Sequence, residues 1–262
     1  MRLSVNNLAC TRGERRIFAG VSFTLAPGEA VVITGRNGAG KSSLLDILAG
    51  RLHPEAGAIR LEGAGERTLP ECLHYIGHRD ALKSALTAEE NLAFARDFLG
   101  NPALTAREAL DAVGLAHAAR LPVAYLSAGQ RRRVALARLL VAHRPLWLLD
   151  EPTAALDTAS QETLRVILER HRESGGMIAA TTHSPLFLQD AKEIQIERLL
   201  PPPSAGEGAE RSEAGGGQYS SPDVPSPGPP GHPLPHPSRV FPTWASRKSG
   251  SGTPDPDGGE GQ

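Results

Sequence analysis

A loop near the start of the chain has the residue types and the spacing, G-x-x-x-x-G-K-S, that bind phosphate groups. Gly38 and Gly40 let successive backbone N–H groups point into a concavity, at the positive end of the helix that follows. Lys41 is a point charge for the β and γ phosphates, the Ser42 hydroxyl is a ligand for Mg²⁺, and Ser43 can bond a further phosphate oxygen. The predicted phosphate-binding residues are Gly35, Arg36, Asn37, Gly38, Ala39, Gly40, Lys41, Ser42 and Ser43.

An acidic pair follows a second apolar run, Leu146 to Leu149. The carboxylate of Asp150, at the carboxyl end of a buried strand, is placed to hold magnesium or its water. Glu151 is one residue farther along, where an attacking water can lie. Taken alone, such a pair is usually a strand end that meets solvent, but beside a phosphate loop it indicates nucleotide hydrolysis.

The elements that must position these residues alternate along the chain, which predicts an α/β fold with a mostly parallel core sheet. An N-terminal antiparallel β group precedes it, and a helical insertion spans about residues 87–141. The carboxyl edge of a parallel sheet is where ligands bind. We predict strands at 3–8, 21–25, 30–34, 146–150 and 177–182, and helices at 42–50 and 158–172.

A second potential anion site precedes another helix, at Leu126-Ser127-Ala128-Gly129-Gln130. Ser127 and Gly129 lie at that helix N-terminus, and two cradles for one nucleotide suggest a sandwich. Together with the phosphate loop and the acidic pair, this motif resembles the signature of the ATP-binding cassette (ABC) ATPases, which have the P-loop NTPase fold. The resemblance covers residues 1 to about 198.

Several site roles are implied by this resemblance. Two copies form a homodimer, in which Ser127, Gly129 and Gln130 of one copy close over ATP held by the phosphate loop of the other. Lys41, Glu151 and His183 are the catalytic residues, and Ser42 and Asp150 hold Mg²⁺. A lone histidine after a strand is more often structural, and only the order of the motifs assigns His183 to the γ phosphate. The segment 155–157 fits the loop that crosses the dimer interface.

Two positions depart from the common family pattern. His78 stands where most cassettes carry a glutamine in the loop that leads to the helical subdomain, so the resemblance implies that His78 belongs to the nucleotide site. Arg12 stands where an aromatic residue is expected to stack on adenine. The segment 75–92 resembles the haem-exporter ATPases of bacterial cytochrome c maturation, which carry histidine at this position. That resemblance implies integral membrane partners of the CcmB and CcmC type, an indirect link to a haem chaperone, and a peripheral position on the cytoplasmic face of the inner membrane.

Composition limits the domain organisation and the kinds of partner that the chain can have. Of residues 199–262, 26 of 64 are Pro or Gly, which predicts a disordered tail after an ATPase domain at 1–198. The two cysteines cannot form a disulfide framework, and no apolar stretch has the length of a membrane helix. Residues 1–198 carry 24 Lys and Arg against 22 Asp and Glu, so no nucleic-acid partner is expected. The run Arg131 to Arg133 is expected to be a solvated face with some residues paired to acids.

Three alternatives remain open at this point. The first is an ABC ATPase that serves a different transported substrate, since a cassette does not contact its cargo. The second is a nucleotide-gated interaction module that binds ATP without turnover, which Glu151 and His183 argue against. The third is a soluble DNA-repair or translation cassette, but about 85 residues between Lys41 and Leu126 leave no room for a long coiled coil.

Overall fold

A computed structural model describes residues 1–182, 188 and 190–197. His183 and the predicted tail at 199–262 lie outside the described residues. The described part has eight strands: β1 (Arg2–Arg12), β2 (Arg15–Leu25), β3 (Ala30–Thr34), β4 (Ala56–Glu62), β5 (Leu73–Ile76), β6 (Leu146–Asp150), β7 (Met177–Thr181) and β8 (Lys192–Gln195). Its α-helices are α1 (Lys41–Leu48), α2 (Ala88–Leu99), α3 (Ala106–Ala112), α4 (Ala128–Val141) and α5 (Thr158–Glu173).

Two sheets form the frame of the molecule. The first is antiparallel, with the order β2-β1-β4, and the second is parallel, with the order β5-β6-β7-β3-β8. The predicted fold class is therefore confirmed. Strands β4, β5 and β8 were not assigned individually from the sequence, because β4 and β8 are mostly exposed and β5 has only four residues.

Strand β6 shows why the core strands are apolar at every position. Leu146 and Leu148 pack into a core with the antiparallel sheet and α1. Trp147 and Leu149 point to the opposite face and pack into a second core with the helices α2, α4 and α5. Since both faces of the parallel sheet are covered, alternation of apolar and polar residues disappears. Truncating a buried leucine such as Leu148 to alanine costs about 2–5 kcal/mol.

Each α-helix of the segment between β5 and β6 starts with the same capping interaction. The N-cap hydroxyls of Thr87, Thr105 and Ser127 each accept a hydrogen bond from the backbone three residues on, and the side chain there returns the bond. This capping box satisfies two N–H groups that a helix start otherwise leaves without partners. It fixes where α4, the helix that follows the signature, begins.

The topology brings three strand ends to one edge of the parallel sheet. Strands β3, β6 and β7 are parallel neighbours in the order β6-β7-β3, with Asp150 paired to Thr181 and Ile33 paired to Thr181 across the ladders. The phosphate loop leaves β3 at this edge, and the acidic pair leaves β6. The edge is therefore the place where the predicted site residues can meet.

Candidate functional site at the carboxyl edge of the parallel sheet

The phosphate loop connects β3 directly to α1. Gly38 and Gly40 both have positive φ, at 76° and 105°, a region that side chains rarely adopt. A Cβ on Gly40 would lie 2.4 Å from Ile17 Cγ2 and 2.9 Å from Phe18 Cδ1, whereas one on Gly38 would meet open space. Gly40 is thus required by its contact with β2 as well as by its backbone, a reason that the sequence alone does not give.

The remaining loop residues divide into a buried base and an exposed rim. Arg36, Asn37 and Gly38 are exposed, whereas Ala39 is buried and its N–H donates to Arg36 O at 3.0 Å. A Cβ on Gly35 would lie 2.4 Å from the carbonyl oxygen of Ile196, because the chain after β8 passes beside the loop. The chain after β8 therefore supports the buried side of the loop, and Arg36, Asn37 and Gly38 form its exposed side.

Lys41 lies along this loop. Its Nζ donates to Gly35 O at 2.8 Å and to Arg36 O at 3.5 Å, and the side chain is buried. The ammonium is therefore held against the carbonyl oxygens at the start of the loop. Ser42 is exposed at the first turn of α1, and Ser43 is buried.

The acidic pair is fixed by β7. Asp150 is 4% exposed, and its Oδ1 accepts a hydrogen bond from Thr181 Oγ1 at 2.6 Å. The N–H of Glu151 donates to Thr181 O at 3.2 Å and to Thr181 Oγ1 at 3.1 Å. Thr181 therefore orients both acidic residues, a role that the sequence analysis did not assign to it.

Glu151 has a strained backbone, with φ 46°. The left-handed region costs a non-glycine residue roughly 1–2 kcal/mol. Arg132 Nη2 donates to the carbonyl oxygens of Asp150 and Glu151, both at 2.8 Å. Hydrogen bonds from a charged group contribute about 1.5–3 kcal/mol each, so these two are sufficient to hold the strained peptide.

The expected solvated face at Arg131 to Arg133 is wrong for its central residue. Arg132 is 4% exposed, and its second nitrogen, Nη1, donates to Gly77 O at 2.9 Å and to Asp80 Oδ1 at 3.2 Å. The physical reason is that α4 packs its first turns against the end of β6 and the loop after β5. Periodicity could not reveal this burial, since three successive arginines carry no face signal.

The signature residues begin α4. Ser127 Oγ accepts from the N–H of Gln130 at 3.2 Å, and Gln130 Oε1 accepts from the N–H of Ser127 at 2.9 Å. Ser127 is exposed. A Cβ on Gly129 would lie 2.9 Å from the carbonyl oxygen of Ala155, so that glycine allows the loop after β6 to approach closely. The Ser-x-x-Gln spacing is itself the sequence signal of the capping box.

The loop after β6 also prepares the start of α5. Ala155 has a positive φ of 61°, and Asp157 caps α5 by accepting from the N–H of Ser160 at 2.8 Å. Hydrogen bonds from Ser160 lower the pKa of Asp157 below its usual range, so the carboxylate stays charged at this helix start. The segment 155–157 is thereby fixed beside the signature of its own chain.

The loop after β5 carries His78, which is exposed. Asn91 of α2 holds the far half of this loop: its Oδ1 accepts from Lys83 N at 2.8 Å, and its Nδ2 donates to Lys83 O at 3.0 Å and to Thr87 O at 2.9 Å. His78 therefore lies on a loop that both α2 and α4 contact. Arg12, at the end of β1 in the hairpin with β2, is also exposed.

Tyr75, in β5, connects this loop to the phosphate side. Burial, and next the nearby Asp46 carboxylate, raise the pKa of Tyr75, so its hydroxyl stays protonated and donates to Asp46 Oδ1 at 3.0 Å. Asp46 belongs to α1, the helix that starts at Lys41. The ring also lies under the guanidinium of Arg51, 4.8 Å from its centroid.

The donor set at this edge fits magnesium. Mg²⁺ prefers one or two protein oxygen ligands together with water and substrate phosphates. Ser42 offers an exposed hydroxyl, and Asp150 offers a carboxylate that Thr181 orients. Among the described residues there is no cluster of three or more His, Cys, Asp or Glu that could form an all-protein cage.

Comparisons with known proteins agree with this geometry. The family model described as ABC transporter matches residues 18–154. The cytochrome c biogenesis ATP-binding export protein CcmA of Nitrobacter winogradskyi is 56% identical over 197 residues, 75% of this chain and 98% of that protein. An ATP-binding cassette solved as a dimer in a post-hydrolysis state with ADP and Pi is 27% identical, with a TM-score of 0.61 over 70% of this chain and 88% of that one.

A putative ABC transporter ATP-binding protein of Pyrococcus furiosus shares the fold. Its TM-score is 0.65 at 22% identity, over 75% of this chain and 98% of that chain. Within residues 1–182, 188 and 190–197, no helix combines the length and the apolar character needed to span a membrane.

Proposed function

The chain belongs to the ABC transporter family, and from that premise we propose that it is the ATP-hydrolysing subunit of an exporter that serves cytochrome c biogenesis. The observation that carries this proposal is a relative named for that process, which is 56% identical and matched over 98% of its length. The phosphate loop and the acidic pair stand at one sheet edge, as ATP hydrolysis requires.

Hydrolysis uses this chain's residues in separate roles. Lys41 and the loop backbone bind the β and γ phosphates, and Glu151 orients or deprotonates the attacking water. Thr181 holds the carboxylate of Asp150 and the backbone N–H of Glu151 in place. The family resemblance assigns His183, which lies outside the described residues, to the γ phosphate. When bound, Mg²⁺ neutralises phosphate charge, and Ser42 and Asp150 would hold it.

Two copies act together in this proposal. The signature of one copy, with its exposed Ser127, closes over the nucleotide in the phosphate loop of the other copy, and hydrolysis reopens the pair. One solved neighbour is itself a dimeric cassette with ADP and Pi. The N-terminus of a helix attracts anions such as the γ phosphate, which supports the assignment of the signature to this task.

The membrane partners receive the motion through the His78 loop and α2. Phe94 and Phe98 of α2 are 62% and 78% exposed, and their rings stack with the centroids 5.9 Å apart. Large exposed aromatics mark surfaces that meet a partner. Within the proposal, the partners are integral membrane subunits of the CcmB and CcmC type, the site of action is the cytoplasmic face of the bacterial inner membrane, and the cargo is haem for a periplasmic chaperone.

The proposed function is tested in a bacterial strain that lacks the gene for this chain. We expect the strain to lose holocytochromes c, measured by haem staining of membrane proteins, and to regain them when the wild-type gene is supplied. A variant without hydrolysis should not restore them. The deletion strain could instead keep normal cytochrome c levels and lose the export of another compound. That result would show that the other compound, and not haem, is the cargo.

Replacing His78 with glutamine tests how the motion is transmitted. His78 is exposed and lies outside the phosphate loop, so we expect ATP hydrolysis by the isolated protein to change by less than about threefold. Holocytochrome c formation in the same strain should fall, because the loop no longer fits its membrane partner. Normal cytochrome c assembly with the glutamine variant would remove His78 from the coupling.

A further inference from the structure

We propose that Arg132 is a positioning residue, which holds Glu151 in its hydrolytic orientation and connects it to the His78 loop. The inference rests on the proposed ATPase function and extends it to a residue outside the phosphate loop, the signature and the acidic pair. Its basis is a single buried guanidinium with four acceptors on two separate segments.

One nitrogen of Arg132 acts on the peptide of the acidic pair. Nη2 donates to the carbonyl oxygen of Asp150, which precedes the Glu151 nitrogen, and to the carbonyl oxygen of Glu151 itself, both at 2.8 Å. Thr181 binds the N–H of Glu151 from the neighbouring strand. The direction of the Glu151 side chain follows from its backbone, whose φ of 46° a residue adopts only when its surroundings impose it. Arg132, Thr181 and a turn hydrogen bond from the N–H of Ala154 to Glu151 O, at 3.1 Å, form those surroundings.

The other nitrogen acts on the loop after β5. Nη1 donates to Gly77 O at 2.9 Å, one residue before His78, and to Asp80 Oδ1 at 3.2 Å, two residues after it. Asp80 also supplies the negative charge that a buried guanidinium needs, since an unpaired buried cation is costly. A displacement of the His78 loop therefore acts on the same planar group that holds Glu151.

Arg132 further belongs to the helix that the signature starts. Ser127 is the N-cap of α4, and Arg132 lies five residues later in the same helix. A helix moves as a rigid element, so a shift of the signature during closure also shifts the guanidinium relative to β6. Arg132 thus connects three parts of the proposed ATPase: the signature helix α4, the His78 loop and the carboxylate that activates water.

Its two neighbours provide matched controls within one helix turn. Arg131 Nη1 donates to Leu126 O at 2.5 Å, and Arg133 Nη1 donates to Val113 O at 3.3 Å. Both side chains are half-buried. Arg133 therefore shares the charge and the helix of Arg132 but is less deeply buried, and its hydrogen bond leads to the end of α3 instead of to the acidic pair.

The test compares Arg132→Gln with Arg133→Gln in the full chain. Displacing a group in an active site by about 1 Å can cost on the order of 10²-fold in rate, so we expect kcat to fall about 10- to 100-fold in Arg132→Gln. KM for ATP should stay within about threefold, because the phosphate loop is untouched. Arg133→Gln should keep the wild-type kcat. An equal loss in both variants would assign Arg132 to general stability.

A double variant separates positioning from structure. If Arg132 acts through Glu151, adding Arg132→Gln to Glu151→Gln lowers the single-turnover rate no further, since the group that it positions is already gone. A merely structural role would multiply the two losses, and that result would overturn the proposal. If Arg132→Gln does not fold, Asp80→Asn carries the test: kcat should fall by a few-fold at unchanged KM, and an unchanged kcat would refute the connection to the loop.

These results remain distinct from a failure of the proposed function. A wild-type protein that hydrolyses no ATP, alone or with membranes from its host, contradicts the ATPase assignment. A wild-type protein that hydrolyses ATP, together with an Arg132→Gln variant that does so equally fast, overturns only the role of Arg132.

Discussion

Replacing Glu151 with glutamine is expected to lower ATP turnover by about 10²- to 10⁴-fold, the usual contribution of a positioned general base. The amide keeps the shape of the side chain but cannot accept a proton from water. The Arg132 and Thr181 contacts of residue 151 use its backbone, so the substitution leaves them in place. The measurement is phosphate release at saturating ATP, with nucleotide affinity determined separately.

Affinity for ATP should survive this substitution, because Lys41 and the loop backbone are unchanged. The matched control is Glu173→Gln, another carboxylate-to-amide change, at the exposed end of α5. That end precedes the amino-terminal end of β7, on the side of the sheet away from the acidic pair. Undiminished turnover in Glu151→Gln would remove Glu151 from the mechanism.

Replacing Lys41 with alanine is expected to weaken ATP binding by about 10²-fold, the effect of losing charge-assisted hydrogen bonds worth about 1.5–3 kcal/mol. The ammonium lies against the loop that we propose binds the phosphates, and it donates to Gly35 O at 2.8 Å. Equilibrium binding of a fluorescent ATP analogue, with unlabelled ATP as competitor, measures the loss.

Lys192→Ala serves as the control for charge alone. Lys192 is an exposed lysine that pairs with Glu29, and such surface pairs contribute at most about 1 kcal/mol. Its removal should leave ATP affinity unchanged. Equal affinity in Lys41→Ala and wild type would defeat the assignment of the loop as the phosphate cradle.

Local sequence patterns were sufficient to predict those parts of the fold that a few neighbouring residues determine. Strands β3 and β6 begin and end at the residues expected from their apolar runs, because both faces of each are buried. The phosphate loop is equally local, since its glycines, its lysine and the helix start are contiguous. Helix α5 extends one residue beyond the expected end.

Contacts between distant segments could not be predicted. Arg132 bonds Gly77, 55 positions away, and the run of three arginines gives no sign of which one is buried. Gly129 faces the Ala155 carbonyl, and Gly40 faces Ile17. Both positions need glycine because of contacts with segments that are distant in the sequence, and these contacts exist only in the folded chain. The strands β4 and β8 are stabilised by pairing with neighbours rather than by an apolar pattern of their own.

An ATP site built from two copies of the chain can be tested by mixing two defective variants. Both carry Glu151→Gln, so that a closed pair persists; one adds Lys41→Ala, and the other adds Ser127→Arg at the exposed start of the signature. Neither variant alone can build a complete site. A head-to-tail pair of one copy of each has one intact phosphate loop facing one intact signature.

Energy transfer between dyes on the two variants, measured with and without Mg·ATP, reports this pairing. We expect ATP-dependent transfer in the mixture and none between differently labelled copies of either variant. If the Glu151→Gln protein pairs in ATP but the mixture does not, the signature of one copy does not complete the nucleotide site of the other, and the head-to-tail arrangement is contradicted.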